Sequence, residues 1–180
     1  MGMGIRKTTA GALCLPALEV AAAPACPDEF AQAQSLTEKR FASSVTCLVN
    51  RVRASVRARA VRDEGRLRRA ASRHTSSMVG STFFSHRDRN GRDPADRIAA
   101  TGYTNGATKW VVGENLAWGT GAISTPDAIV SGWWLSAPHR ATMLNPRFTD
   151  FGIAVRMAPP SAEVAESPVT VTTVYGYRKG

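Results

Sequence analysis

Residues 133–146, WWLSAPHRATMLNP, combine a helix end, a break and a second helical turn in one short stretch. Upstream of it, Thr125-Pro126 is an N-cap followed by proline at the first helical position, which predicts a helix to about Leu135. The break at 136–138 ends that helix, and a further turn or short helix is predicted from His139 to the following Asn-Pro. His139 therefore lies just after a break, where its side chain can project into a cleft.

Three more helices are predicted upstream of this stretch. Apolar residues recur at helical spacing over residues 37–58, which is typical of an amphipathic helix. That apolar stripe consists of Phe41, Val45, Leu48, Val52 and Val56. A second helix is predicted over residues 63–79, and a third, short helix is predicted to begin at Asp93-Pro94 and to end at Gly102.

Strand patterns are fewer and lie mostly near the C-terminus. Valines in residues 109–117 predict one strand, alternation over residues 150–156 predicts a second, and residues 169–177 predict a third. The last two are predicted to form a hairpin with a long connection. Helices followed by a small sheet indicate an α+β fold or a layered sandwich.

The N-terminus has the features of a secretory signal peptide over residues 1–25. Two basic residues precede a small, apolar run, and an A-x-A-like site predicts cleavage after Ala23 or Ala25. The mature chain then keeps only Cys26 and Cys47, and two cysteines in an exported chain indicate a disulfide. A lipid-modified Cys26 is the less favoured alternative, because the residues before it lack the aliphatic position of such a signal.

The composition is that of a basic globular chain. The 180 residues carry a net charge of +9, from 23 Lys and Arg against 14 Asp and Glu, and no apolar run is long enough to span a membrane. A monomer is expected. Nine arginines crowd into residues 51–73, and those of the first helix, Arg51, Arg53 and Arg57, fall off its apolar stripe and are expected to face solvent.

This arginine-rich segment predicts an anionic partner, and the residues around the arginines indicate which class of partner is favoured. No aromatic residue is interleaved with the arginines, so the stacking platform that single-stranded nucleic acid requires is missing and no nucleic acid is predicted. A solvated helical face with affinity for anionic polymers or lipid headgroups of a cell envelope is favoured instead.

Few residues can carry chemistry, and no P-loop or dinucleotide fingerprint predicts an organic cofactor. His74 lies on the apolar face of the second helix and is interpreted as structural. His86, Glu114 and His139 fit a two-histidine, one-carboxylate metal site, an acid–base pair or a structural cluster, and their spacing leaves these alternatives open. A Ser-His-Glu triad through Ser136 or Ser85 is conceivable, although no nucleophile elbow marks either serine.

The order of motifs along the chain is more specific than this spacing. The motifs are N-R-x-R-A at 50–54, L-x-x-A-A-x-x-H-x-x-x-M at 67–78, F-F-S-H at 83–86, G-x-x-P-x-x-R-I-x-x-x-G-Y at 91–103, G-E-N at 113–115, W-x-x-S-x-x-H-R-x-x-x-L-N-P at 133–146 and F-G-I at 151–153. Together they strongly resemble the bacterial branch of the CAP superfamily, which includes cysteine-rich secretory proteins, antigen 5 and pathogenesis-related proteins. The resemblance spans residues 44–177.

The resemblance implies a three-layer α-β-α sandwich with a small, mainly antiparallel sheet and a secreted location. It assigns residues 44–180 to the CAP (SCP-like) domain and leaves residues 26–43 as an N-terminal tail with the start of the first helix. It also implies a cleft formed by His86, Glu114 and His139, in which a divalent metal such as zinc can lie between the two histidines.

Two departures from the family pattern bear on function and folding. The animal and plant branch has a second cleft glutamate shortly after the motif tryptophan, whereas this chain continues from Trp133 to Ser136 without a carboxylate. Arg57 stands where relatives usually have a glycine that ends the first helix, so either the arginine adopts a left-handed conformation or the helix runs on.

The leading functional hypothesis is a secreted binding protein whose cleft holds a lipid, peptide or cell-envelope fragment. A metal-dependent hydrolase, in which Glu114 acts as base, is the alternative from a different class. A non-catalytic structural or interaction protein of the envelope, with the His/Glu cluster as a fold anchor, is the third. Arg97 and Arg140 are expected to form fixed ion pairs. Of Trp133 and Trp134, one is expected in the core and the other along a groove.

Overall fold

The computed structural model describes residues 25–163 and 165–180. The predicted signal peptide, residues 1–25, lies outside these residues except for Ala25. None of the helices in the described ranges has the length and apolar character needed to cross a membrane.

Five α-helices lie within the described residues, and capping side chains start four of them. Their bounds are α1 Glu38–Ser55, α2 Gly65–Gly80, α3 Pro94–Ala99, α4 Pro126–Leu135 and α5 Ala137–Leu144. The N-caps Thr37, Glu64, Asp93 and Thr125 each accept a hydrogen bond from a backbone N–H of the first turn. Two 3₁₀ turns, Ala33–Ser35 and Gly121–Ile123, complete these helical segments.

The first helix ends earlier than the apolar stripe predicts. α1 stops at Ser55, three residues short of the predicted end, and Arg57 has φ +60°. This is the left-handed conformation that glycine adopts freely, and it costs a residue with a Cβ about 1 kcal/mol. Of the two alternatives for Arg57, the left-handed end of the helix is therefore correct.

Four strands of the described chain form a mixed sheet in the order β1-β3-β4-β2. Their bounds are β1 Arg62–Asp63, β2 Lys109–Gly119, β3 Asp150–Arg156 and β4 Val169–Lys179. The β3–β4 pair is antiparallel, as predicted, and β2 also runs antiparallel to β4. β1 pairs in parallel with β3 and was not predicted, because two residues are too few for an alternating pattern.

Helices cover both faces of this sheet and give the predicted α+β, three-layer architecture. Alternate residues of β3 divide between two cores: Phe151, Ile153 and Val155 pack with α1, α4 and α5. Ala154 packs with α2 and α3 on the other face. Gly152 lies on that same face, where a Cβ would come within 2.2 Å of the α2 backbone, so glycine permits the close approach of the helix.

A disulfide ties the segment before α1 to the helix itself. Cys26 and Cys47 are bonded, with their Cα atoms 5.7 Å apart, which confirms the predicted pair. Cys26 is buried in the larger core, so the covalent link and the packing act on the same segment.

The expectation that all three α1 arginines face solvent is wrong for Arg53, which is fully buried. Its guanidinium donates to four backbone carbonyls that lie after the end of α1, in the last turn of α5 and in the α5–β3 connection. The acceptors are Arg59 at 2.8 Å, Met143 at 2.6 Å, Asn145 at 3.1 Å and Phe148 at 3.0 Å. Position 53 is off the α1–sheet stripe, but it faces a second neighbour, the loop that follows α5.

Replacing this arginine with a residue of similar length should destabilise the fold strongly. Arg53→Met removes every donor to these carbonyls, and buried acceptors without partners cost about 1–3 kcal/mol each, so we expect a loss of about 3–5 kcal/mol in the free energy of unfolding. The exposed Arg59→Met is the matched control and should change it by less than about 0.5 kcal/mol. Urea denaturation measures both, and equal stabilities of the two variants would contradict the account of Arg53.

Candidate functional site

The site is built around the carboxylate of Glu114, which β2 carries on the sheet face covered by α2 and α3. Its side chain is only 2% exposed. Oε1 lies 2.9 Å from His86 Nδ1, and Oε2 accepts from Arg97 Nη2 at 2.6 Å. Burial of a carboxylate is costly unless it is paired and hydrogen-bonded, and here both oxygens have a partner.

Arg97, in α3, binds both partners of the His86–Glu114 contact. Besides Glu114, it donates from Nη1 to the backbone carbonyls of His86 at 2.6 Å and Arg92 at 3.0 Å. The predicted fixed ion pair of Arg97 is therefore confirmed. Among the described residues Arg140 has no ion-pair partner, contrary to the prediction, and its guanidinium donates to the Trp134 carbonyl at 2.7 Å and lies over the Trp134 ring.

His139 reaches the site from the opposite layer of the sandwich. It lies in the first turn of α5, and its Nδ1 is 2.8 Å from Oγ of Ser136, the residue before the helix. Asn115, whose side chain points to the other face of β2 from Glu114, donates to the His139 carbonyl at 2.9 Å. Neighbouring residues of one edge strand thus hold His86 and His139 from the two sides.

The histidines are close enough to affect each other. Burial lowers the pKa of the His139 imidazole, and the charge of His86 lowers it further. His86 is half exposed, and His139 is partly buried. The three residues expected to form a cleft are therefore all held at β2: His86 by Glu114, which lies beneath the surface, and His139 by Asn115 through its backbone carbonyl.

Both imidazoles are held in the same way, through Nδ1. Within residues 25–163 and 165–180, neither Nε2 atom has a hydrogen-bond partner, so each is available to a ligand. The same part of the chain contains no group of three or more His, Cys, Asp or Glu side chains arranged to hold a metal ion. The described residues therefore offer two imidazole nitrogens and no third protein ligand.

A Ser-His-Glu triad does not assemble. Ser136 contacts His139, whereas Glu114 contacts His86, so the serine and the carboxylate belong to different histidines. Ser85, the other candidate, accepts from the backbone N–H of Arg87.

The remaining histidine and the tryptophan pair lie where the sequence predicts. His74 is 1% exposed on α2, with Nε2 2.9 Å from the Ser85 carbonyl. Trp133 is buried and donates to the Leu116 carbonyl, whereas Trp134 is 39% exposed and lines a groove between α1 and α4.

Sequence reasoning did not find the supporting roles of Asn115 and Ser136. Asn115 directly follows Glu114, and period-2 alternation along a strand would have placed it on the opposite face. The sequence marks Ser136 only as a possible nucleophile, although a residue directly before α5 lies close to the side chain three residues later, here His139.

The comparison with known families decides the identity of this fold. The CAP family model, described as the cysteine-rich secretory protein family, matches residues 47–175. The chain is a member of the CAP family. This confirms the resemblance drawn from the ordered motifs.

One curated relative of this CAP domain is the uncharacterized protein YkwD of Bacillus subtilis (strain 168). The two are 30% identical over 87 residues, which is 48% of this chain and 31% of YkwD. The match thus covers about a third of the length of that relative.

Two solved structures share the fold. An outer surface protein from Borrelia burgdorferi has a TM-score of 0.66 at 16% identity, covering 80% of this chain and 97% of that one. An extracellular protein containing an SCP domain from Bacillus anthracis has a TM-score of 0.62 at 22% identity, covering 86% of this chain and 44% of that one. At these identities the likeness shows the fold alone.

The CAP domain should lose stability in mild acid. Burial lowers the pKa of both His74 and His139 below the ordinary 6.5, so each binds a proton more weakly in the folded than in the unfolded chain. The two histidines contribute their full stabilisation above about pH 6.5, and this stabilisation is lost as the pH falls towards their pKa values in the folded chain. Ordinary carboxylates titrate at lower pH and do not account for this fall.

We therefore expect the free energy of unfolding in urea to fall between about pH 7.5 and 5.5. His74→Gln retains a donor towards Ser85 but cannot titrate, so this variant should show a shallower fall. Stability of the parent protein that is flat or rises as the pH drops over this interval would contradict the assignment.

Proposed function

We propose that this CAP domain is a binding protein that works outside the cytoplasm and takes up a small cell-envelope fragment, lipid or peptide at the His86, Glu114 and His139 cleft. A divalent metal such as zinc, held between the two histidines, forms part of that site. The observation that carries the proposal is the shared orientation of the imidazoles, each fixed through Nδ1 with Nε2 available.

The chemistry of the donors fits a metal. Metal-binding histidines usually donate their second ring N–H to a carboxylate, carbonyl or similar group, which fixes the ring and raises its basicity. Glu114 is placed to accept this hydrogen bond from His86, and the Ser136 hydroxyl is placed to accept it from His139. Zinc accepts imidazole nitrogen readily, and ligand or solvent atoms would complete its coordination. Bound there, it would act as a Lewis acid towards an oxygen atom of the ligand.

The position of Glu114 favours binding over hydrolysis. A general base must reach the proton that it abstracts, directly or through one water. Both oxygens of Glu114 are engaged, by His86 and Arg97, and the side chain is almost completely buried. Glu114 is therefore a positioning residue for His86, and the second carboxylate that paired acid–base catalysis requires is absent from the motif at Ser136.

The half-exposed ring of His86 also argues against a purely structural cluster. A fold anchor gains most from burial, as the structural His74 illustrates at 1% exposure, whereas half of the His86 side chain is accessible to solvent. An accessible ring with a fixed orientation is suited to a ligand.

Several observations support an extracytoplasmic location. The Cys26–Cys47 disulfide belongs to an oxidising compartment. Residues 1–25 have the pattern of a signal peptide, and two similar structures are described as an outer surface and an extracellular protein. Exposed arginines of β1 and α2, including Arg62, Arg68, Arg69 and Arg73, provide a basic surface towards an anionic envelope.

Calorimetric titration with zinc tests the proposal. The parent protein should bind one zinc ion. His86→Ala or His139→Ala should each weaken zinc binding by at least about 100-fold, because either variant leaves only one protein ligand for the ion. Ser136→Ala, which removes only the partner of Nδ1, should weaken it by about 10–100-fold. Calcium, which prefers oxygen ligands, serves as the control ion and should give no heat.

Thermal unfolding of the same variants separates function from folding. If His86→Ala and His139→Ala fold like the parent but lose zinc, and the zinc-loaded parent hydrolyses no peptide or ester, binding is the function that remains. Absence of zinc binding by the parent would overturn the metal site, and failure of both variants to fold would favour the structural anchor.

A further inference from the structure

We propose that this domain has a second binding site, separate from the histidine cleft, that takes a tetrahedral oxyanion carrying a hydroxyl group, such as hydrogen phosphate. The site is a cavity between α2, α3 and the segment that joins them. Neither His86 nor His139, whose Nε2 atoms form the proposed cleft site, lines this cavity.

The cavity has a size and a lining that select a small polar ligand. Its volume is about 100 Å³. An apolar cavity of about 150 Å³ holds a benzene ring, so this one has room for a phosphate-sized group rather than for a sugar or a lipid chain. The charged groups and the histidine of its lining are Arg73, His74, Asp88, Arg89, Arg92 and Arg97, and the neutral polar residues are Ser77 and Asn90.

The charges of this lining are unbalanced in favour of an anion. Four arginines and one carboxylate, that of Asp88, line the cavity. Asp88 pairs with Arg92, and Arg89 donates to the Ser81 carbonyl and lies over the Phe83 ring. Arg97 is committed to Glu114. Arg73 has no hydrogen bond or ion pair to any residue in the described ranges, so its guanidinium is available to an oxyanion in the geometry that it binds best.

His74 supplies the observation that specifies the ligand further. It is 1% exposed, and its Nδ1 has no hydrogen-bond partner among the described residues. Its Nε2 faces the Ser85 carbonyl, which can only accept, so Nε2 carries the proton and Nδ1 presents a lone pair. Burial lowers the pKa of His74, which favours this neutral form. A buried acceptor without a donor is costly, and a hydroxyl from the ligand would satisfy it.

Hydrogen phosphate meets both requirements, since its oxygens accept from arginine and its P–O–H group donates to Nδ1. Sulfate has the same shape and, near neutral pH, the same charge as the phosphate dianion, but it has no hydroxyl. The ligand can be free phosphate or a phosphate group next to an alcohol, as in a glycerol phosphate end, because either provides a hydroxyl.

Titration calorimetry at about pH 7.5 distinguishes these anions, with the concentrations extended to about 10 mM. We expect inorganic phosphate to bind about 10-fold more tightly than sulfate, which is the effect of one hydrogen bond to a buried group. Methyl phosphate, which is fully ionised above its second pKa of about 6, should bind like sulfate. Glycerol 3-phosphate that binds as tightly as phosphate would identify a polymer end as a source, and weaker binding would identify the free ion.

Three variants locate the site. Arg73→Gln should weaken phosphate and sulfate alike by about 10-fold. Arg66→Gln removes the same charge from α2 outside the cavity and should change either affinity by less than about twofold. His74→Gln retains a donor towards Ser85 but moves the acceptor away from the position of Nδ1, so the preference for phosphate over sulfate should become smaller.

The proposal is wrong if the parent protein binds neither anion in this range, or if it binds phosphate and sulfate equally well. It is also wrong if Arg66→Gln weakens binding as much as Arg73→Gln, because the attraction would then be a property of the whole basic surface. If His74→Gln does not fold, the comparison of phosphate with sulfate in the parent and in Arg73→Gln decides alone.

Discussion

The buried carboxylate of Glu114 is the interaction on which this domain depends, because it links three parts of the chain through one buried charge. Glu114 lies in β2, its partner Arg97 in α3, and its partner His86 in the segment after α2. Removal of Arg97 would leave the charge of Glu114 buried without its cationic partner, which typically costs about 3–5 kcal/mol. The geometry of the cleft is therefore tied to the stability of the fold, and His86 is held in place by the same contacts that hold α3 against the sheet.

Much of this architecture follows from the sequence, and the failures have physical causes. The break between α4 and α5 and the bounds of β3 were predictable because proline, capping residues and alternating apolar residues act locally. The strand β1 was missed because it is only two residues long and gains its structure from pairing with β3. Arg53 was misplaced because an apolar stripe describes one face of a helix, whereas α1 has a second neighbour whose carbonyls need donors. For the candidate site, the ordered motifs predicted His86, Glu114 and His139, whereas a hydrogen bond such as that of Ser136 to His139 depends on rotamers that no spacing encodes.

The proposed cleft and the proposed oxyanion cavity lie on either side of the same structural unit. Arg97 lines the cavity and also binds Glu114, and His74 contacts Ser85, the residue before His86. A ligand in the cavity would therefore contact Arg97 and His74, which help to position His86. The basic surface of α2 lies beside the cavity, so the arginine-rich segment has more than one role: most of its members face the exterior, the exposed Arg73 also lines the cavity, and the buried Arg53 holds the fold together.

The central claim is that Glu114 fixes His86 so that Nε2 is presented to a ligand, and the tautomer of the neutral imidazole tests it most directly. Nuclear magnetic resonance of ¹⁵N-labelled protein distinguishes protonation at Nδ1 from protonation at Nε2 in each histidine ring. The account predicts that neutral His86 carries its proton on Nδ1, donated to Glu114, and that His74 carries its proton on Nε2. A His86 ring protonated mainly on Nε2, or one that exchanges equally between both tautomers, would contradict it.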